Sequence, residues 1–153
     1  CKYMNGVYVL VILLKNNETI VMHGKKYNLS SGYYCYVGSA LGHGSTTIEN
    51  RIKRHLKKEK KKFWNIDHIT TLESSEIVSI FYAETNTNRE CDISLEIYNK
   101  KIGDVVISKF GSHDCRKCPT HFYKIVSENL EDIRIMIKDI FRRLKLDIHE
   151  FPV

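Results

Sequence analysis

Two stretches of this sequence concentrate residues that can do chemistry. From Arg51 to Lys62 the chain reads RIKRHLKKEKKK, in which Glu59 is the sole acid among Arg51, Lys53, Arg54, Lys57, Lys58, Lys60, Lys61 and Lys62. A polyanion responds to such clustering more than to the net charge of +6, so a nucleic-acid backbone is the natural partner. The same letters also suit a solvated, lysine-rich helix face. Further on, Cys115-Arg-Lys-Cys118-Pro-Thr-His121 sets two thiols and an imidazole at C-x-x-C-x-x-H spacing. A tight loop can wrap these around zinc, with Cys91 or His113 as a fourth ligand. Ordinary reduced thiols or a redox pair fit the spacing equally well. Asp114, in the same loop, is a candidate to cap or bond backbone there.

The elements that must position these groups follow from periodicity and turn residues. Gly6 to Leu14 is continuously apolar and β-branched, which predicts a strand buried on both faces. Thr19 to Met22 predicts a second strand, Gly24 to Lys26 a turn before Tyr27, and Gly32 to Gly38 a third strand ending where glycine permits an unusual backbone angle. These three early strands are expected to build the sheet. Thr46 to Lys60 places Ile48, Ile52 and Leu56 at helical spacing, and Phe63, Trp64, Ile66 and Ile69 are expected to anchor a short segment to the core. Glu76 to Ala83 reads as a strand, Arg89 to Lys100 as a helix, Gly103 to Pro119 mainly as ordered loop, and His121 to Val126 as a strand. A final helix over about 128–145 carries Leu130, Ile133, Ile137, Ile140, Phe141 and Leu144 as its apolar stripe, with Ser127 as the expected cap.

With 153 residues and 42% hydrophobic content, the chain suits one domain with its own core, spanning 1–153. No apolar run approaches the ~20 residues of a membrane span, since Leu14 is followed by Lys15, Asn16, Asn17 and Glu18. No membrane association is expected. The first strand lacks a basic leader and a small-residue cleavage site. Five cysteines without regular spacing do not read as a secreted disulfide scaffold, and a cytoplasmic location fits them best.

Gly6-Val7-Tyr8, Tyr36-Val37-Gly38 and Arg51-Ile-Lys-Arg-His55 stand in an informative order. They resemble the GIY and YIG tripeptides and the R-x-x-x-H helix of the GIY-YIG nuclease superfamily. The fuller strings GYYCYVGSALG, FWNIDHI and FGSHDCRKCPTH resemble a small prokaryotic branch of that superfamily whose function is largely unassigned. The resemblance implies an α/β fold, a small, largely antiparallel central sheet flanked by helices. It also implies phosphodiester hydrolysis in DNA, in repair or structure processing, with Mg2+ or Mn2+ as cofactor.

Such hydrolysis needs an activated water, charge relief at the phosphoryl group and stabilisation of the leaving oxygen. By motif position the resemblance gives Arg51 the phosphoryl oxygens. Tyr8 would orient or deprotonate water, because a tyrosine beside a metal and an arginine can have its pKa lowered. Tyr36 would bond phosphate or support Tyr8, and His55 would bind phosphate or assist proton transfer. The resemblance implies a metal-binding glutamate, which would be Glu90, next to Cys91 as in the smaller branch, with Glu96 as the alternative. Lys53, Arg54, Lys57, Lys58 and Lys61 would hold the nucleic-acid backbone. A non-catalytic nucleic-acid-binding module on the same scaffold is the alternative function, and a structural protein whose basic helix meets an acidic partner is a third.

Overall fold

The computed structural model describes residues 5–41, 47–112 and 115–153. His113, Asp114 and the glycine-containing loop before the Arg51 helix lie outside the described residues. The first strand, β1 (Gly6–Leu14), has almost every side chain buried, and the reason is its place in a six-stranded antiparallel sheet flanked by helices. It lies between β4 (Gly32–Ala40) and β5 (Ser75–Glu84), with helices covering both faces, so neither set of alternate residues meets water. On one face Tyr8, Leu10, Ile12 and Leu14 pack with Ile48 and Ile52 of α1 (Ile48–Leu56) and Ile69 of α2 (Asp67–Thr70). On the other, Val7, Val9 and Val11 pack with Ile93 and Ile97 of α3 (Glu90–Asn99) and with Ile133, Ile137, Ile140 and Phe141 of α4 (Leu130–Arg143).

The sheet departs from the sequence expectation in its membership. β2 (Glu18–Met22) and β3 (Lys25–Leu29) pair only with each other, through a two-residue turn in which His23 (φ 50°) and Gly24 (φ 76°) both take positive φ. Ile20, Met22 and Leu29 lay this hairpin over the α1 face instead of extending the sheet. The sheet is completed by β6 (Gly103–Val105), β7 (Phe122–Ile125) and β8 (His149–Phe151), in the order β6-β7-β4-β1-β5-β8. β6 falls within the segment expected to be loop, and β8 was not foreseen.

Helix ends also shift. α1 stops at Leu56 and Lys57 is extended, because the Lys60 ammonium turns back to donate to the carbonyls of Arg54 and His55 at 2.7 and 3.2 Å. Most of the lysine run therefore follows the helix instead of lying on it. α4 is capped by Asn129, whose side chain accepts from the Asp132 N–H at 3.0 Å, while Ser127 accepts from the Asn129 N–H one step outside. β4 runs past Gly38 to Ala40, and Gly38 is there for space, not for its backbone angle. A Cβ at this position would come within 2.5 Å of the Tyr8 hydroxyl oxygen on the paired strand.

Candidate active site and cysteine–histidine cluster

Tyr8 from β1, Tyr36 from β4, Arg51 from α1 and Glu90 from the start of α3 line one cleft of about 510 Å3. His23 of the hairpin and Trp64 also border it, and a 3.1 Å hydrogen bond between His23 Nε2 and Asn65 Oδ1 spans its edge. Glu90 is the one carboxylate among the described residues lining the cleft, and Glu96 is not in it.

Tyr8 is buried, and its hydroxyl lies 2.7 Å from His55 Nε2. Burial pushes the Tyr8 pKa well up, Tyr36 adds to this, and the Arg51 guanidinium opposes it without reversing it. The expected lowering is therefore not what this environment produces on its own, and Tyr8 is a neutral phenol. Its hydroxyl is held by His55. That imidazole sits among the rings of Tyr8, Tyr36 and Trp64, with centroids at 5.4, 6.0 and 5.7 Å. Burial lowers its pKa to about 3, helped by the Lys60 ammonium. His55 is buried and does not line the cleft, which it meets through Tyr8. Burial and then Glu90 raise the Tyr36 pKa, which leaves a phenolic O–H donor.

Arg51 is held from two sides. One terminal nitrogen donates to the Ser39 carbonyl at 2.7 Å, and its guanidinium carbon lies 5.0 Å from the Trp64 ring centre. Its buried Nε has no protein partner among the described residues.

Asp67 is a site residue to which sequence reasoning gave no role, although FWNIDHI contains it. Fully buried, it accepts both prongs of the Arg54 guanidinium at 2.9 and 2.8 Å and the N–H groups of Phe63 and Trp64 at 2.8 and 2.9 Å. Burial alone would raise its pKa, but the Arg54 fork and the Trp64 and Phe63 N–H groups hold it at about 2. Asp67 thus fixes the turn that presents Trp64 to Arg51. The signal for it was an acid among the large apolar residues Phe63, Trp64, Ile66 and Ile69.

The cations expected to hold a backbone fall into two groups. Lys53, Arg54, Lys57 and Lys61 line a shallow groove with Phe63, which also reaches the cleft. Arg54 is committed to Asp67, whereas Lys53, Lys57 and Lys61 are exposed. Lys58 instead donates to the carbonyls of Leu72, at 2.7 Å, and Ser75, which fastens the chain before β5. Phe63 was expected in the core with its neighbours. It is 80% exposed and stands between the groove and the cleft.

Cys115, Cys118 and His121 come together with Cys91 of α3. Their ligating atoms all lie within 4.8 Å of one another, a cluster able to hold a metal ion. Cys91 and Cys115 are joined as a disulfide, Cys118 Sγ lies 3.0 Å from Cys115 Sγ, and His121 Nε2 lies 3.6 Å from Cys91 Sγ. His121 Nδ1 faces away from the sulfurs, 4.0 Å from Glu90 Oε2.

Fold and cleft together define a mixed α/β domain in which tyrosines, an arginine and a glutamate converge beside a basic groove. Residues 7–146 match the model of a family described as Domain of unknown function DUF123, and the chain belongs to that family. No curated protein and no solved structure matches it.

Proposed function

We propose that this protein is a divalent-metal-dependent endonuclease of GIY-YIG type that hydrolyses phosphodiester bonds in DNA, in repair or structure processing. The observation that carries this reading is the convergence of Tyr8, Tyr36, Arg51 and Glu90, distant in sequence and drawn from different elements, on one cleft. Arg51 lines the cleft and offers its guanidinium to a phosphoryl oxygen, with its position set by Ser39 and Trp64 before substrate arrives. Tyr36 donates its O–H to phosphate. Tyr8 orients the attacking water, its hydroxyl held in place by His55 Nε2 2.7 Å away.

Glu90 suits a hard divalent ion, because magnesium is commonly held by one or two carboxylates and otherwise by water and substrate phosphate. When bound, such an ion supplies charge to the phosphoryl and leaving oxygens. The groove of Lys53, Lys57 and Lys61 supports backbone binding, and exposed Phe63 offers a face on which an unpaired base can stack. A cytoplasmic location accords with the free thiols of Cys35 and Cys118, whereas the Cys91–Cys115 disulfide is of a kind rare there.

Lys53, Lys57 and Lys61 of the groove do not line the cleft of the catalytic candidates, and this separation favours a second reading, a binding module without turnover. The two are separated by incubating the protein with nicked, branched and single-stranded DNA in magnesium or manganese, and with chelator. Metal-dependent cleavage that falls in Tyr8→Phe, Arg51→Ala and Glu90→Ala is expected. Cleavage that survives all three substitutions would remove this site, and salt-sensitive binding without cleavage on every substrate would leave the module.

A further inference from the structure

We propose that Cys91, Cys115, Cys118 and His121 form a structural zinc site that clamps the start of α3 to the loop before β7. Three sulfurs and one imidazole nitrogen within 4.8 Å of one another are a Cys3His donor set. Zinc at about 2.3 Å from sulfur and about 2.0 Å from nitrogen places its ligands roughly 3.5–3.8 Å apart. The separations of 3.0 and 3.6 Å lie near that spacing, whereas the Cys91 and Cys115 sulfurs, bonded to each other, must part to reach it and the widest pair, within 4.8 Å, must close.

The Cys91–Cys115 disulfide and a metal are alternatives, since a bonded sulfur has no thiolate to offer. A disulfide employs two of the four groups and leaves the Cys118 thiol and the His121 imidazole crowded against it without a task. A metal employs all four. The rest of the cluster is also arranged as a metal site requires. His121 turns Nε2 to Cys91 Sγ at 3.6 Å, and its buried Nδ1, which makes no hydrogen bond among the described residues, has the Glu90 carboxylate 4.0 Å away, the kind of group that a ligating histidine commonly takes as its outer partner.

Backbone hydrogen bonds fix the ligands before any metal arrives. Cys115 donates its N–H to the Ser112 carbonyl at 3.0 Å, and His121 donates to the Phe110 carbonyl at 2.8 Å while its own carbonyl accepts from Val37 at 2.9 Å. Exposed Arg116 and Lys117, between the two loop cysteines, offset the negative charge of three thiolates. Because Glu90 precedes Cys91 directly, zinc here would set the position of the cleft carboxylate. The site itself does not rest on the nuclease reading.

The test is elemental analysis of protein purified without affinity metal, paired with thiol counting in denaturant and chelator. One zinc per chain and all five cysteines reactive is the expected result. Absence of zinc, with two thiols blocked or with none blocked, would overturn the proposal unless the reduced, stripped protein takes up one cobalt ion. The expected signature of that uptake is sulfur-to-cobalt charge-transfer absorption and tetrahedral d–d bands, and its absence settles the matter against the site. His121→Asn and Cys118→Ser should lose the ion, His121→Cys should restore it, and Cys35→Ser, a buried free cysteine elsewhere, should keep it. Zinc retained by both His121→Asn and Cys118→Ser would place the metal somewhere else. No arm uses DNA, so failure here and failure of the nuclease reading are distinguishable.

Discussion

At the scale of single residues, His55 stays neutral because it is buried among aromatic rings with cations on its outer side, and its pKa drops from 6.5 to about 3. An NMR titration should find its imidazole neutral down to about pH 4, and a midpoint near 6.5 would contradict this environment. The unfolded chain takes up that proton near 6.5 and the folded chain does not, so stability falls as pH drops from 6.5 towards 3. Tyr8→Phe leaves His55 Nε2 without its 2.7 Å partner and should cost ~1–3 kcal/mol in urea unfolding. Asp67 acts through a lower window. Its depressed pKa stabilises the fold above 3.8, and that contribution is lost as pH falls towards about 2. Asp67→Asn should remove this acid-dependent loss and destabilise by roughly 3 kcal/mol at neutral pH, since it breaks a pair whose carboxylate is fully buried. An Asp67→Asn protein with unchanged unfolding would show that the turn under Trp64 does not depend on it.

At the scale of elements, one face of the sheet seats α1, which carries Arg51 and His55, and the other seats α3, which carries Glu90, together with α4, which carries no residue of the cleft among those described. Ile52 packs α1 on the Tyr8 face and Ile137 packs α4 on the other, both fully or almost fully buried. Ile52→Ala and Ile137→Ala should each cost ~2–5 kcal/mol, read by denaturant unfolding. Only Ile52→Ala should slow cleavage in temperature-matched assays, because it loosens the helix that carries Arg51 and His55. Equal slowing by both would tie activity to stability alone.

Much of this layout could be read from residue order. The unbroken apolar run of β1 marks a strand buried on both faces, and the GVY and YVG pieces locate the two tyrosines. Other features depend on tertiary packing that leaves no periodic trace. β6 and β8 have three residues each, too few to reveal a repeat of two. The β2–β3 hairpin alternates like a sheet strand yet leaves the sheet to cover α1. The end of α1 is set by Lys60 reaching back to its carbonyls, inside a run that reads as continuous helix. Glu90 and Glu96 share one helix, and only the placement of α3 brings Glu90 to the cleft.

At the scale of the whole molecule, one basic groove adjoins the cleft through Phe63, with Lys53, Lys57 and Lys61 exposed in it, while Arg54 and Lys58 are used to hold the fold. Replacing each of the three exposed lysines by glutamine should weaken duplex binding and flatten its log–log salt dependence by about 0.9 for every phosphate left without its cation. Phe63→Ala should weaken single-stranded binding by ~1–3 kcal/mol while leaving duplex affinity and salt slope largely unchanged. Fluorescence anisotropy over a salt series measures both, and a slope indifferent to all three lysines would put the nucleic-acid path elsewhere.

The most direct measurement of the central claim is single-turnover cleavage in magnesium by Glu90→Gln beside the unsubstituted protein and Glu96→Gln, with DNA binding verified for all three. Glu90→Gln is expected to bind normally and cleave at least ~100-fold more slowly, and Glu96→Gln to match the unsubstituted protein. Equal rates for Glu90→Gln and the unsubstituted protein, whether both cleave or neither does, would contradict the account.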